Sequence, residues 1–252
     1  MTSRPAILRW AALAASAAGA VSAAPAQPRL ESFASTFEGR KSIALVDAHA
    51  IAKVELRRSD THAIYTVSTT VRWTMMSRSF DQCGVVRFDG ARIVPVEYVH
   101  LDHAKPKRNV HTRFDWARGT ATTRLGDGTE RVAEVTWPAW DPMSMQLALM
   151  AAAPSKRPGE QETHQVVERG TSRVHRVTFV GMPAAPSDGN GQPFAIRSDK
   201  PNGTSVSLVL DRARNFQPMS IGFEDVNLDR TAVAAAPATL PAGTVPVCAG
   251  PK

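Results

Sequence analysis

The 252-residue sequence is poor in cysteine and lacks the common catalytic motifs. Cys83 and Cys248 are its only cysteines, and they lie too far apart in the chain to form a local metal-binding motif. The sequence contains no Gly-x-Ser-x-Gly nucleophile elbow and no glycine-rich phosphate-binding loop. We therefore predict no catalytic residue, no metal ligand and no cofactor, and the motifs do not favour an enzyme.

The histidine cluster, His100, His103 and His111, lacks the spacing of a metal site. On a strand, side chains three positions apart point to opposite faces, so His100 and His103 would not converge on one ion. Zinc usually needs three or four well-placed ligands. We predict that these histidines lie at the surface.

Long apolar runs are also absent, apart from one near the N-terminus. The run at 10–21 is shorter than the roughly 20 residues that span a bilayer, and it follows two arginines and no acidic residue. Small residues close it, and cleavage after Ala23 or after Ala26 fits the usual A-x-A pattern. The sequence predicts a signal peptide over 1–26, no transmembrane segment in the mature chain, and a periplasmic or secreted location.

Export bears on the two cysteines and on the charge. In an oxidising compartment a pair of cysteines is more often a disulfide than two free thiols. We predict a bond between Cys83 and Cys248 that ties the Ala- and Pro-rich tail, 231–252, to a single β domain at 27–230.

The formal net charge is +7, and export excludes intracellular nucleic acid as a partner. A solvated basic surface and attraction to anionic lipid or polysaccharide both stay open.

Apolar and polar residues alternate along much of the mature chain. Between His62 and Trp73 the alternate positions are apolar or aromatic, which indicates a half-buried strand. Asp-Gly and Asn-Gly pairs between such segments are typical of tight hairpin turns. Further strands are predicted at 50–57, 84–88, 93–100, 110–116, 120–125, 131–137, 163–168, 173–180, 205–210 and 219–226.

One segment has the pattern of a helix. Asp141 is suited to cap a helix that begins with Pro142. Met143, Leu147 and Met150 then share one face over 141–150. We predict an all-β fold, a strongly curved antiparallel sheet or open barrel, with this one short helix packed on the concave face.

The order of several motifs resembles an uncharacterised exported bacterial family, domain of unknown function 3108. The Phe-Asp-Trp strand followed by the Asp-Pro-x-Ser helix start is the most specific part. The resemblance implies a mostly β exported protein, similar in architecture to periplasmic lipoprotein carriers and half-barrel lipid binders, and it assigns no catalytic residue. At Val209 the sequence departs from the tryptophan expected in the family. The matching residues are Phe88-Asp89-Gly90, Pro95-x-x-Tyr98, Arg113-Phe114-Asp115-Trp116, Trp137, Asp141 to Leu149, and Gln217-Pro218-Met219-Ser220-Ile221.

Aromatic and methionine side chains are the candidate ligand-binding residues. They could line an apolar cavity on the concave side of the sheet. They could equally form the packing centre between the sheet and the helix. The candidates are Phe114, Trp116, Trp137, Trp140, Met143, Leu147 and Met150.

Three functional hypotheses follow. The first is a non-enzymatic periplasmic or envelope protein that binds a lipid or another amphipathic ligand in a β half-barrel. The second is an envelope assembly or scaffold module that binds a protein or polysaccharide through basic residues such as Lys105, Lys107 and Arg108. The third is a hydrolase of an envelope polymer, which convergent carboxylates or histidines in a polar cleft would favour.

Overall fold

The protein is described by a computed structural model over residues 30–43, 46–74, 76–181, 193–223 and 226–249. The predicted signal peptide, 1–26, lies outside these residues. Within them, no helix has the length and apolar character needed to cross a membrane. The strands are Phe33–Ile43 (β1), Val46–Arg58 (β2), His62–Trp73 (β3), Met76–Asp89 (β4), Arg92–Asp102 (β5), Val110–Asp115 (β6), Thr120–Leu125 (β7), Glu130–Glu134 (β8), Ala139–Trp140 (β9), Gln161–Glu168 (β10), Thr171–Phe179 (β11), Pro193–Asp199 (β12), Ser205–Asp211 (β13), Gln217–Phe223 (β14) and Val226–Ala234 (β15).

The strands form one sheet of 15, which confirms the predicted all-β class. Strands β1 to β8 each pair antiparallel with the next along the chain, and so do β10 to β15. The first and last strands, β1 and β15, also pair antiparallel. Among the described strands the order therefore runs without a gap from β8 through β1 and β15 to β9. Strands β8 and β9 do not pair with each other, so the ladder of hydrogen bonds is not closed.

One α-helix, α1 (Pro142–Ala152), follows β9 and leads to β10, which pairs parallel with β9. Asp141 caps it, because its carboxylate accepts hydrogen bonds from the backbone N–H groups of Met143 and Ser144. Met143 and Leu147 are fully buried in the main core. The helix confirms the prediction for 141–150 and extends slightly beyond it.

The helix approaches β4 closely because position 84 is a glycine. A Cβ atom on Gly84 would lie 2.6 Å from the Cβ atom of Met143. Side chains of α1 contact the main core, whose members come from one part of the sheet, β1 to β7, and from the other part, β9 to β13. The helix therefore packs against both parts of the sheet.

The two free edges of the sheet meet through side chains. Ala121 and Val135, on the β7–β8 side, pack with Ala139 and Val167 on the β9–β10 side. Nearby, the Arg131 guanidinium donates to the backbone carbonyl of Arg169 at 3.5 Å. Packing rather than strand pairing joins these edges.

The C-terminal segment returns to the outside of the sheet. Cys83 and Cys248 form a disulfide with Cα atoms 5.7 Å apart, as the sequence predicted. Cys248 is buried beside Val85 and Val99, and its N–H donates to the Glu97 carboxylate at 3.0 Å. Strand β15 runs to Ala234, so regular structure continues beyond the expected domain boundary after residue 230.

Candidate functional site

Several strands carry a large buried side chain at one position and smaller side chains further along the same face. On β3 these residues are Tyr65, Val67 and Thr69, in that order. Tyr65 is fully buried in the core, whereas Val67 and Thr69 line an open space. Alternate positions of a strand face the same side, so the three residues share one face of β3. The same order occurs in Phe194, Ile196 and Ser198 of β12, and in Leu210, Leu208 and Val206 of β13.

The open space is a cleft of about 460 Å³, which we call the interior cleft. Its volume falls within the roughly 300–1,000 Å³ of small-molecule sites. Pro142 and Gln146 contribute from the first turns of α1. Most of the apolar lining, which we call the apolar wall, comes from strands that lie close together in the sheet, β3, β2, β15, β14 and β13. The polar and charged lining, which we call the polar wall, comes from β4, β5 and the ends of β10 and β12. The apolar wall contains Ala52, Val67, Val206, Ile221 and Leu228, the polar wall contains Gln82, Tyr98, His100, Glu168, Arg169 and Lys200, and Val110 of β6 is paired with His100.

A second, smaller cavity of about 60 Å³ adjoins the interior cleft. It shares Gln146, Glu168 and Lys200 with the cleft and adds His175 and Ser198. Because the same residues line both spaces, the small cavity is a deeper extension of the cleft beneath the charged groups.

An ion pair lies where the two spaces meet. The Lys200 Nζ atom is 2.8 Å from the Glu168 Oε1 atom, and the two side chains are 21% and 19% exposed. The His175 Nε2 atom lies 3.6 Å from the same carboxylate oxygen. Burial lowers the pKa of His175, and the charge of Lys200 lowers it further against the opposing effect of Glu168. The ring is therefore neutral at neutral pH.

A second polar group lines the cleft on β4 and β5. The Gln82 amide lies 3.3 Å from the His100 Nδ1 atom. Burial lowers the pKa of His100, so this ring is also neutral at neutral pH. Burial raises the pKa of Tyr98, whose hydroxyl is hydrogen-bonded to Gln82. The polar wall thus combines one ion pair, one further arginine and neutral hydrogen-bonding groups.

Some buried polar atoms at the cleft have no hydrogen-bond partner among the described residues. They are the Gln146 Oε1 atom and the His175 Nε2 atom. His175 is 1% exposed, and buried polar atoms are usually paired in folded proteins. These atoms are available to a polar group of a ligand that reaches the deep end of the cleft.

Ser198, His175 and Glu168 are neighbours, but they do not have the geometry of a catalytic triad. The Ser198 Oγ atom lies 3.5 Å from the His175 Nδ1 atom, and Glu168 lies on the Nε2 side at 3.6 Å. A serine nucleophile and its base usually lie within about 3.2 Å, and Ser198 is itself buried. The arrangement supports binding better than nucleophilic catalysis.

The three histidines considered as metal ligands lie in separate surroundings. His100 lines the cleft, so its predicted surface position is wrong; His103 is exposed and pairs with Asp81 at 2.6 Å. His111 pairs with Glu97 at 2.7 Å. Across the described residues, no group of three or more His, Cys, Asp or Glu side chains could hold a metal ion.

The predicted aromatic residues come together, but at another place. Phe114, Trp116, Trp137 and Trp140 form a row with centroids 5.5 to 5.6 Å apart, which crosses the break between β8 and β9. Trp137 is 40% exposed, whereas Trp140 is buried in the core. The Trp116 indole donates to the Pro95 carbonyl at 2.7 Å. This row packs one edge of the sheet against the other.

The predicted helix residues Met143, Leu147 and Met150 are buried in the main core. Neither they nor the four aromatic residues line the interior cleft or its small extension. Their contacts agree with the packing alternative, and their role in a ligand cavity stays a prediction. The site described above instead depends on Glu168, His175 and Lys200. The signal for His175 was a polar residue that continues an apolar alternation, because it shares one face of β11 with the buried Val177 and Phe179.

One β-barrel-like solved structure and one family model are similar to this chain. Among solved structures, a β-barrel-like protein of domain of unknown function DUF1849 from Brucella abortus is similar, with a TM-score of 0.55 and 12% identity, covering 81% of this chain and 98% of that chain. A DUF1089 family protein from Pseudomonas aeruginosa has a TM-score of 0.36 and 15% identity, covering 67% and 87%. No curated protein matches the sequence. The family model described as "Protein of unknown function (DUF3108)" matches residues 38–192, as the motif order predicted. Because this match spans more than half of the sequence, the chain belongs to the DUF3108 family.

Proposed function

We propose that the protein is a non-enzymatic binding protein of the bacterial envelope that holds an amphipathic ligand in the interior cleft. The observation that carries the proposal is the contrast between the two walls of a partly open space of about 460 Å³. An apolar chain would lie against the aliphatic wall, where its burial is favourable by about 25 cal/mol per Å². A polar end of the same ligand would meet the charged groups of the polar wall.

Two features support an extracytoplasmic location. The N-terminal residues, 1–26, have the charge and apolar pattern of a signal peptide. The pairing of Cys83 with Cys248 suits an oxidising compartment, where disulfides persist. A ligand carrier in the periplasm is consistent with both.

The proposal also takes the sheet to be strongly curved around α1. Its support is that the helix packs against core residues from both parts of the sheet, while the two edges meet through the cluster of Ala121, Ala133 and Val167. A sheet bent in this way would enclose the helix at one end and leave a ligand site at the other. Small-angle X-ray scattering of the purified protein would distinguish this shape from a flatter sheet.

The first experiment is native mass spectrometry of protein purified from the periplasm, followed by lipid extraction. We expect a stoichiometric adduct that disappears on delipidation. Val67→Trp would fill the cleft from its apolar wall and should abolish the adduct. The matched control is Val174→Trp, because Val174 is 60% exposed on β11 and does not line the cleft.

Three results decide the proposal. Loss of the adduct in Val67→Trp but not in Val174→Trp supports binding inside the cleft. Equal binding by both variants places the ligand elsewhere and refutes the proposed site. A wild-type protein that carries no adduct and shows no thermal shift with amphiphiles contradicts the function itself, and the basic turn with Lys105, Lys107 and Arg108 would then be tested by partner capture.

A further inference from the structure

The polar wall of the interior cleft has an excess of one positive charge. Arg169 and Lys200 line it together with a single carboxylate, that of Glu168. The two histidines at the same end, His100 and His175, both have a pKa lowered by burial and add no charge at neutral pH. One negative charge on a ligand would therefore balance this wall.

The groups that would contact such a ligand carry suitable donors. Glu168 and Arg169 are adjacent at the end of β10, so the ion pair of Glu168 with Lys200 brings both cations to one place. A guanidinium has five N–H donors in a planar fork that fits a carboxylate. The Arg169 Nη1 atom donates to the Arg108 carbonyl at 2.9 Å, which holds the side chain at the mouth of the cleft and leaves other donors of the fork for a ligand.

The volume of the cleft sets the number of chains. A volume of about 460 Å³ lies in the lower half of the roughly 300–1,000 Å³ range of small-molecule sites. A single-chain amphiphile therefore suits the cleft better than a phospholipid with two chains.

We infer that the interior cleft is selective for single-chain amphiphiles with a carboxylate headgroup, which Arg169 and Lys200 bind while the chain lies on the apolar wall. This inference rests on the proposed function and specifies its ligand class. Gln146, whose Oε1 atom is buried and unpaired, would accept a hydrogen bond from a hydroxyl or a protonated headgroup near the helix.

The test compares two ligands of equal chain length, palmitate and hexadecanol, by isothermal titration below their critical micelle concentrations. We expect wild-type protein to bind palmitate at least tenfold more tightly than hexadecanol. Arg169→Gln should weaken palmitate binding about tenfold, the effect of losing a charge-assisted hydrogen bond, and leave hexadecanol binding unchanged. Arg176→Gln is the matched control, because Arg176 is exposed on β11 and does not line the cleft.

The outcomes separate this inference from the proposed function. If palmitate and hexadecanol bind equally, or if Arg169→Gln weakens both alike, the carboxylate preference is wrong while the apolar cleft still binds chains. If neither ligand binds and only a two-chain phospholipid does, the single-chain assignment is overturned. If no amphiphile binds, the proposed function and this inference both fail. A thermal melt of each variant shows whether it is folded.

Discussion

The two ends of the sheet interior are built from the same strands but are filled in different ways. At one end, large residues such as Phe37, Tyr65 and Phe194 pack with Leu147 of the helix, all fully buried. At the other end, the same strands carry residues such as Thr69 and leave the interior cleft open. The position at which α1 stops filling the space therefore determines where the interior cleft lies.

The two ends also differ in the contacts that hold them together. The inner face of the cleft end buries less apolar surface, and its outer face carries the disulfide. Gln82 and His100 line the cleft, whereas their neighbours Cys83 and Val99 point to the other side of β4 and β5. The helix stabilises one end from within, and the cross-linked C-terminal segment covers the other from outside.

Replacing Cys83 and Cys248 by serine should produce the largest effect. The bond joins positions separated by 165 residues, so its loss should lower the free energy of unfolding by about 4 kcal/mol. Urea titration of the double variant measures the loss. Wild-type protein with a reductant should match the variant, and an unchanged unfolding free energy would show that the cleft end is stable without the cross-link.

Truncation of one residue at each end tests the comparison directly. Leu147→Ala leaves a cavity in the packed end and should cost about 3 kcal/mol of unfolding free energy. Ile221→Ala, at the half-buried apolar wall of the cleft, should cost less than about 1.5 kcal/mol because the space beside it is already open. Both losses come from urea titrations, and equal values would mean that the two ends do not differ in packing.

Gly84→Ala tests the junction between the two ends. The added Cβ atom would lie 2.6 Å from the Cβ atom of Met143, so the helix must shift away from β4. We expect a cost of about 2 kcal/mol in unfolding free energy, as in other overpacked cores. Ser77→Ala, at an exposed position of the same strand, should cost almost nothing. Equal stabilities in thermal and urea unfolding would show that the close approach is not needed.

An effect similar in size to that of Gly84→Ala, but seen only as a change with pH, concerns the cap of α1. Burial raises the pKa of the Asp141 carboxyl to about 6, compared with about 3.9 in an unfolded chain. The folded state therefore holds this proton more tightly. The stability that this group contributes is fully present below about pH 4 and is lost as the pH rises from about 4 to about 6.

Asp141→Asn keeps a capping oxygen but cannot ionise. The variant should therefore not show the fall in unfolding free energy that ionisation of Asp141 causes in the wild-type protein. We expect wild-type stability to fall relative to the variant by roughly 2 kcal/mol between pH 4 and pH 7, measured by urea unfolding at each pH. The pKa values of Glu97 and Asp102 are lowered in the fold, so the stability that these two groups contribute is lost as the pH falls, which is the opposite direction. They are present in both proteins, so they cancel in the difference. Parallel pH profiles for the two proteins would contradict the prediction.

Local patterns predicted the class of the fold and many of its elements. The bounds of β3 matched the alternation over His62–Trp73, and the capping residue located the start of α1. Strand β1 was not predicted, although Phe33, Ser35 and Phe37 are alternately buried, because polar and basic residues occupy much of its second half. The last residues of β15, 231–234, were assigned to the Ala- and Pro-rich tail, because alanine has a low preference for strands.

The site could not be located from local patterns, because it depends on contacts between distant segments. Glu168 and Lys200 meet only when β10 and β12 take their places on either side of β11. Aromatic and methionine residues drew attention to the opposite region, where they pack the helix and the sheet edges. Hydrophobic side chains indicate where a core is filled, whereas a cleft is indicated by the small and polar residues that interrupt it.

The pairing of β1 with β15 has a consequence for how the chain folds. These strands are the first and the last along the chain, although they are neighbours within the sheet. The loop closed by their contact therefore includes all the other described strands. Contacts between such distant segments form late and slow the folding of β proteins. Until β15 arrives, one side of β1 presents unpaired N–H and C=O groups that can join the edge of a second chain. We therefore expect a newly made molecule to be most prone to association just before its final strand is added.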